Sequence, residues 1–150
     1  MGLQVRAITE DDRAEWEVLW KAYLAFYQVD LAPEITDDVW RRALDPQASV
    51  RALVAVNEDD RTLQGFTHYH FQEVTWQVNE RCYLEDLFVA EHARGSDAAQ
   101  ALIEAVKQAA TDHGSDQVFW VTQESNYRAR ALYDRVAKNA GLIQYSIPLD

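Results

Sequence analysis

A strand-like run that leads directly into a long amphipathic helix, between Arg81 and His113, constrains the fold of this chain most strongly. The run RCYLEDLFVA (Arg81–Ala90) is rich in apolar residues, and a helical pattern begins near Ser96. Gly114 follows the helix where a terminating glycine is expected. The apolar residues of the helix form one stripe at helical spacing: Ala98, Ala101, Leu102, Ala105, Val106 and Ala109. This pattern predicts a strand–loop–helix unit.

The rest of the chain alternates between strand-like and helix-like runs. Strands are predicted at residues 4–9, 49–56, 62–76, 117–122 and 142–149, where β-branched and aromatic residues are frequent. Helices are predicted at residues 9–28, 35–44 and 126–141. Thr9 or Asp11 would cap the first of them, and Thr36 or Asp37 the second. The first of these helices has an aromatic face. With 150 residues, the chain is predicted to be a single α/β domain over residues 1–150 with a mixed sheet.

Charge and composition exclude several classes of function. The 14 basic and 25 acidic residues give a net charge of −11, and the closest basic cluster is Arg41–Arg42, so we expect no nucleic-acid partner. No apolar run approaches the roughly 20 residues that span a bilayer, and the N-terminus has no signal-peptide pattern, so no membrane association is expected. The acidic excess suits a cationic small molecule, although solubility alone is the simpler interpretation.

The cysteine and histidine content indicates a reducing compartment and no metal. Cys82 is the only cysteine, which rules out an intrachain disulfide and a cysteine-built zinc site. His68 and His70 would share one face of a strand, but the four histidines show no metal-ligand spacing. We therefore predict a cytoplasmic protein without a bound metal. Cys82 itself is interpreted as a small buried residue rather than a nucleophile.

The beginning of the helix after Arg81–Ala90 is a candidate anion site. The first turn of a helix has backbone N–H groups without intrahelical partners, at the positive end of the helix dipole. Such a terminus can bind a pyrophosphate, although most strand–loop–helix units bind nothing. Both interpretations stay open on this evidence alone.

The stretches YLEDLFVAEHARGSDAAQALIEAV and VFWVTQESNYRARALYDRVAKNAGLIQY resemble the GCN5-related N-acetyltransferase (GNAT) superfamily, in particular its diamine/polyamine acetyltransferase-like branch. The resemblance implies a central mixed sheet of about six to seven strands with a splayed pair, flanked by about four helices. It also implies acetyl-CoA as the cosubstrate. Because relatives commonly pair, it further implies a homodimer.

The resemblance assigns the residues that would bind acetyl-CoA. Backbone groups of Leu87, Phe88 and Val89 would hydrogen-bond the pantetheine arm in the splay beside their strand. Asn126 would contact the cofactor from the later segment. The pyrophosphate would be held by the loop that carries the family's glycine-rich pattern, here Arg94, Gly95, Ser96, Asp97, Ala98 and Ala99.

Asp97 departs from this pattern, which has glycine at that position. If the carboxylate turns outward, the N–H donors stay available to an anion. If it folds back, it occupies them and repels the pyrophosphate. The second arrangement would favour a degenerate domain that binds acyl-CoA weakly and without catalysis.

Acetylation of an amine requires a base, because a protonated amine cannot attack a thioester. Glu85 is the candidate for this role. Strand alternation predicts that Glu85 shares a face with Tyr83, Leu87 and Val89, and that Asp86 lies on the opposite face. The alternative is that Glu85 and Asp86 are only a solvent-facing charge pair.

The resemblance places Tyr133 near the thioester sulfur, where its hydroxyl could protonate the leaving thiolate. On spacing alone, Tyr133 is a tyrosine at the edge of the core. Asp86 and the aromatic Tyr27 would bind an aliphatic ammonium by charge and cation–π contact, whereas Trp16 and Trp20 more simply fill the core. We therefore expect direct transfer of an acetyl group, in a ternary complex, to a diamine, a polyamine or a lysine-like amine. The alternative acceptor is a protein side chain.

Overall fold

The computed structural model describes residues 2–150, which divide into two compact units: one ends at Trp120 and the other is Val121–Asp150. The first unit contains five strands, β1 Leu3–Ala7, β2 Arg51–Asn57, β3 Leu63–Gln72, β4 Arg81–Val89 and β5 Val118–Phe119. Its helices are α1 Arg13–Phe26, α2 Pro33–Leu44 and α3 Ala98–His113, with short 3-10 turns at Glu10–Asp12 and Glu91–Ala93. The second unit contains α4 Tyr127–Val136.

The strands form one mixed sheet in the order β1-β2-β3-β4-β5. The first four strands are antiparallel neighbours, and β5 runs parallel to β4. The α/β class with four α-helices is as predicted, but the described residues form five strands rather than six to seven.

Helices cover both faces of the sheet in the first unit. On one face, the aromatic side of α1 packs with α2 against β2 and β3, where Trp16, Trp20, Trp40 and Phe66 are buried. The predicted aromatic face of α1 is thus a core face, and Trp16 is completely inaccessible. On the other face, the predicted apolar stripe of α3 is buried, with Leu102 packed against Ala55.

The beginning of α1 is held by a buried carboxylate. Asp12 accepts hydrogen bonds from Arg6 Nη1 at 2.8 Å and Nη2 at 3.0 Å, and from the Thr9 amide at 2.7 Å. The Arg6 guanidinium is the main reason that the pKa of Asp12 lies below its usual range, and the Thr9 amide adds to this shift. The residue before α1 is thus Asp12 rather than the predicted Thr9 or Asp11, and its ion pair with Arg6 joins the helix to β1. Thr9 instead precedes the 3-10 turn.

One predicted helix boundary shifts for a local reason, and another is confirmed. The second helix was expected at residue 35 with Thr36 or Asp37 as its cap, but α2 begins at Pro33, whose fixed φ suits the first helical position. Thr36 is instead buried, and its Oγ1 accepts a hydrogen bond from Trp20 Nε1 at 3.1 Å. The predicted end of α3 is confirmed, because Gly114 adopts the left-handed conformation at φ +89°.

The prediction for the end of the chain is wrong in the described residues. The last helix ends at Val136 rather than residue 141, and residues 142–149 do not form the expected strand. A strand needs hydrogen-bonded neighbours, which an alternating sequence pattern cannot by itself provide. The side chains there are exposed, including Leu142, Ile143, Tyr145, Ile147 and Leu149. Within residues 2–150, no helix is both long and apolar enough to cross a bilayer.

Candidate active site

A β-bulge in β4 determines where the two predicted carboxylates lie. His68 is opposite Asp86, and Tyr69 is opposite Leu84, so Glu85 is one extra residue in β4. His68 and His70 lie on the same face of β3 because they are two residues apart. Asp86 contacts His68 and Glu85 contacts His70, so both carboxylates belong to that face. The prediction that Glu85 and Asp86 lie on opposite faces is wrong, because strict alternation does not continue through a bulge.

Asp86 is the centre of a hydrogen-bond network under α1. The Tyr23 hydroxyl donates to Asp86 Oδ1 at 2.6 Å, and His68 Nδ1 lies 2.9 Å from Asp86 Oδ2. The Asp86 side chain is 16% exposed, and that of His68 is 4% exposed. Burial, and secondarily the Asp86 charge, raises the pKa of the Tyr23 phenol well above its usual range, so this hydroxyl remains a donor. Asp86 is therefore not a simple solvent-facing charge.

Glu85 has a more open environment. Its carboxylate Oε1 lies 3.2 Å from His70 Nε2, and its side chain is 48% exposed. The His70 ring is also in contact with the ring of Tyr83, with centroids 5.4 Å apart. An accessible carboxylate with one nearby imidazole can accept a proton from a ligand on this face.

Aromatic rings surround the Asp86 network. Tyr23 stacks on Trp20 and is in edge contact with Phe66, Phe88 and Tyr27. The predicted Tyr27 therefore reaches the site through Tyr23, with ring centroids 5.1 Å apart. Sequence reasoning placed Tyr23 in the aromatic face of α1, which would suit an aliphatic ammonium, and considered His68 only for metal binding. The two-residue spacing of His68 and His70 indicated that they share one face of a strand. It did not indicate which carboxylates they contact.

The edge of β4 that faces away from β3 is paired only along the first residues of β4. β5 pairs with β4 only at Cys82 and Tyr83, so the pair of strands separates after that point. The Ala90 amide donates to the Gln64 carbonyl of β3, and alternation then directs the Phe88 backbone to β3 as well. Of the three backbone contacts predicted for acetyl-CoA, Leu87 and Val89 therefore face the open edge, whereas Phe88 does not.

The beginning of α3 has the features of an anion site. Gly95 adopts φ +86°, and a Cβ placed on it would meet no atom within 4 Å. Asp97 is the N-cap residue, is exposed, and makes no side-chain capping hydrogen bond. Within residues 2–150, the amides of Ala99 and Gln100 donate no hydrogen bond, as expected for a first helical turn. The folded-back arrangement of Asp97 is thus not the one that this structure contains.

Other residues of the loop have structural partners. The hydroxyl of Ser96 donates to the Ala93 carbonyl and accepts from the Ala98 amide at 3.3 Å, which closes the turn before α3. The guanidinium of Arg94 lies 5.6 Å from the centroid of the Phe88 ring. Arg94 and Ser96 therefore connect this loop to β4 and to the 3-10 turn.

The two predicted site residues of the second unit lie at the start of α4 and within it. Asn126 is the residue before the helix, and its Nδ2 donates to Thr122 Oγ1 at 3.1 Å. Tyr133 is half-buried in the second half of the helix.

Neither a metal site nor a reactive thiol is found in the part of the chain that the structure describes. No group of three or more histidine, cysteine, aspartate or glutamate side chains in residues 2–150 is arranged to hold a metal ion. Cys82 is buried, and this burial raises the pKa of its thiol to about 11. A thiol that stays protonated at neutral pH is a poor nucleophile.

Comparisons with known proteins agree with this architecture. The family described as the Acetyltransferase (GNAT) family matches residues 7–137. The chain is 34% identical over 141 residues to the D-amino-acid N-acetyltransferase HPA3 of Saccharomyces cerevisiae, and the match covers 94% of this chain and 88% of that protein. It is 33% identical over 69 residues to the thialysine N-epsilon-acetyltransferase of Bos taurus, over 46% of this chain and 40% of that protein.

The fold has solved counterparts as well. A structure of AAC(6')-Iy in complex with the bisubstrate analog CoA-S-monomethyl-acetylneamine matches with a TM-score of 0.86 at 16% identity, and the match covers 100% of both chains. At this level of identity the match concerns the fold alone.

Proposed function

The chain belongs to the acetyltransferase (GNAT) family and is an N-acetyltransferase with acetyl-CoA as its cosubstrate, and from this we propose that it acetylates the primary amine of a small cationic acceptor. Diamines, polyamines and lysine-like amines are the acceptor class. The observation that carries the proposal is the pair of adjacent carboxylates, Glu85 and Asp86, on one aromatic-lined face of the sheet.

The residues present suit acetyl-CoA. The unpartnered amides at the beginning of α3 and the open space over Gly95 fit a pyrophosphate. The Leu87 and Val89 backbone at the open edge of β4 fits an extended amide-containing arm, which would pair with it as a strand does. Asn126 is assigned to cofactor binding by the family resemblance.

The chemistry follows from the proton that an ammonium must lose. Acetyl-CoA supplies the acetyl group as an activated thioester. Glu85 takes the proton from the acceptor, directly or through water, because its side chain is 48% exposed and its Oε1 lies beside the His70 imidazole. The Asp86 carboxylate binds the ammonium. The Tyr133 hydroxyl, in the role that the resemblance assigns, gives its proton to the thiolate.

The acceptor class is supported by charge and by the named relatives. Asp86 and the neighbouring Glu85 attract an aliphatic ammonium by charge, and the rings of Tyr23, which binds Asp86, and of Tyr27, which contacts Tyr23, add cation–π contact. The Bos taurus relative is named for thialysine, a lysine-like amine, and the Saccharomyces cerevisiae relative for D-amino acids. Both names describe a primary amine on a small molecule.

A panel of acceptors tests the proposal. Release of free CoA is measured with a diamine, a polyamine, lysine, thialysine, a D-amino acid without a side-chain amine, and a basic peptide. We expect the highest kcat/KM with acceptors that carry a side-chain or terminal ammonium on an aliphatic chain. Preference for the D-amino acid without a second amine, or for the peptide, would refute the acceptor class while leaving the acetyltransferase activity intact.

We also propose that the chain forms a homodimer. Residues 142–149 carry exposed apolar side chains in a nearly alternating pattern, which is unusual for a surface in contact with water alone. Pairing of this segment with a second copy would bury them as a strand. Sedimentation velocity should give a dimer for the full chain and a shift towards monomer for the double variant Ile143→Glu and Ile147→Glu. A monomeric parent chain would refute the dimer.

A cytoplasmic location is proposed from the same reasoning about composition. Cys82 is the only cysteine and is buried, so the fold depends on no disulfide. Cell fractionation with the full-length protein tests this location, and recovery in a secreted fraction would contradict it.

A further inference from the structure

The hydrogen-bond partners of His68 allow only one tautomer of its ring. The Trp16 indole Nε1–H lies 3.2 Å from His68 Nε2, and both side chains are buried. An indole nitrogen can only donate a hydrogen bond. His68 Nε2 is therefore an acceptor without a proton, and the imidazole proton lies on Nδ1.

The position of that proton fixes the role of His68 towards Asp86. With its proton on Nδ1, His68 donates to Asp86 Oδ2 at 2.9 Å, while the Tyr23 hydroxyl donates to Oδ1 at 2.6 Å. Each oxygen of the carboxylate thus accepts from a neutral donor. Neither donor brings a positive charge that would cancel the charge of Asp86.

The backbone of Asp86 is held at the same point. Thr67 Oγ1 donates to the Asp86 carbonyl at 2.7 Å, next to the bulge that places Glu85 and Asp86 on one face. The two carboxylates therefore differ in freedom: Asp86 is held by side-chain donors on both oxygens, whereas Glu85 is half-exposed beside His70. A fixed carboxylate suits ligand binding, and an accessible one suits proton transfer.

We propose that His68 is a positioning residue for the acceptor: Trp16 fixes its Nδ1–H tautomer, and His68 together with Tyr23 holds the Asp86 carboxylate in the orientation that binds the acceptor's ammonium. This inference rests on the proposed function in one respect, the identity of the acceptor. The tautomer and the network do not depend on it.

Two substitutions at His68 separate positioning from packing. His68→Asn keeps an N–H donor near the position of Nδ1, whereas His68→Leu has a similar volume and no donor. The loss of a hydrogen bond to a charged group corresponds to about tenfold or more in affinity. We expect His68→Leu to raise the acceptor KM about tenfold with kcat within about threefold, and His68→Asn to restore the KM to within about threefold of the parent.

Thr36→Val is the matched control. It removes the acceptor of another buried tryptophan N–H, that of Trp20, without touching Asp86. Each variant is first compared with the parent by thermal unfolding and by calorimetry with acetyl-CoA. We expect Thr36→Val to lower the melting temperature and to leave the acceptor KM unchanged. An equal rise in KM for Thr36→Val and His68→Leu would show a general loosening of the core and overturn the proposal, as would an unchanged KM in His68→Leu.

A spectroscopic measurement covers the case in which His68→Leu does not fold. Nitrogen-15 NMR of the imidazoles in the parent chain, with the His68 signal assigned by its loss in His68→Asn, reports which ring nitrogen carries the proton. The Nδ1–H tautomer at neutral pH is expected, and the Nε2–H tautomer or a ring with both protons would overturn the proposal. Failure of the proposed function gives a different result, in which the folded parent chain acetylates no amine of the panel.

Discussion

The substitution Asp97→Asn tests whether the beginning of α3 binds the pyrophosphate of acetyl-CoA. Asp97 is exposed, precedes the unpartnered amides of Ala99 and Gln100, and makes no capping hydrogen bond. Replacement by asparagine therefore removes a negative charge without removing a cap, and asparagine is itself a favourable N-cap residue. We expect acetyl-CoA to bind more tightly to the variant.

The expected gain in affinity for acetyl-CoA follows from the distance between the Asp97 carboxylate and the phosphate, and from the screening of their charges by water. A phosphate bound to those amides would lie about 6 Å from the carboxylate, which gives about 0.7 kcal/mol of repulsion for each phosphate charge in bulk water and about 2.8 kcal/mol at an effective dielectric of 20. The exposure of Asp97 favours the lower figure. One to two phosphate charges then correspond to about threefold to tenfold in affinity.

Calorimetry with acetyl-CoA is the assay, and two controls sharpen it. Glu104→Gln removes an exposed carboxylate from the same helix, about 10 Å further along its axis, and should leave the affinity unchanged because salt screens that distance. Acetyl-pantetheine has no pyrophosphate and should bind equally to the parent and to Asp97→Asn. The gain with acetyl-CoA should also shrink as salt is added. An unchanged or weaker affinity in Asp97→Asn, or an equal gain with acetyl-pantetheine, would refute the placement of the pyrophosphate.

Further predictions concern proton transfer and stability. Glu85→Gln should lower kcat/KM about 100-fold or more while the dissociation constant of acetyl-CoA changes less than about twofold. Tyr133→Phe should lower kcat much more than it lowers the affinity for acetyl-CoA. For either variant, an unchanged kcat in steady-state assays would show that the replaced residue does not have the role proposed for it. Asp12→Asn should cost about 1–2 kcal/mol in urea unfolding at pH 7, because Arg6 loses its charged partner. Since the folded-state pKa of Asp12 is lowered, its contribution is complete above the usual aspartate pKa and is lost as the pH falls through the lowered value, so the difference between the parent and Asp12→Asn should shrink as the pH falls below about 4. A difference that stays constant as the pH falls would contradict this assignment.

Local patterns were sufficient for several elements. The 3.6-residue spacing in α1 and α3 identified faces that are buried, and Gly114 marked the end of α3 because a left-handed residue there strains other side chains. The loop before α3 was also found from sequence, since Gly95 has the positive φ that the turn requires. These features depend on neighbours within one or two turns, which a sequence contains directly.

Patterns failed where the outcome depends on distant partners. Alternation at residues 142–149 is compatible with a strand, but the described residues there form none, because a ladder needs a neighbouring backbone. Thr36 satisfied the rule for a helix cap and is instead the buried acceptor for Trp20. A residue can fulfil a local rule and still be used by tertiary packing.

The sequence by itself determined which chemical groups this protein has for its reaction: the carboxylates Glu85 and Asp86, the histidines His68 and His70, and an aromatic first helix, all within segments of predictable type. Only the tertiary structure decided their arrangement. The bulge in β4 turned both carboxylates to one face, and the packing of α1 brought Tyr23 to Asp86 and Trp16 to His68. The physical reason is that one extra residue in a strand reverses the face to which each following side chain points. Whether such a bulge forms depends on the pairing with β3 rather than on the composition of β4.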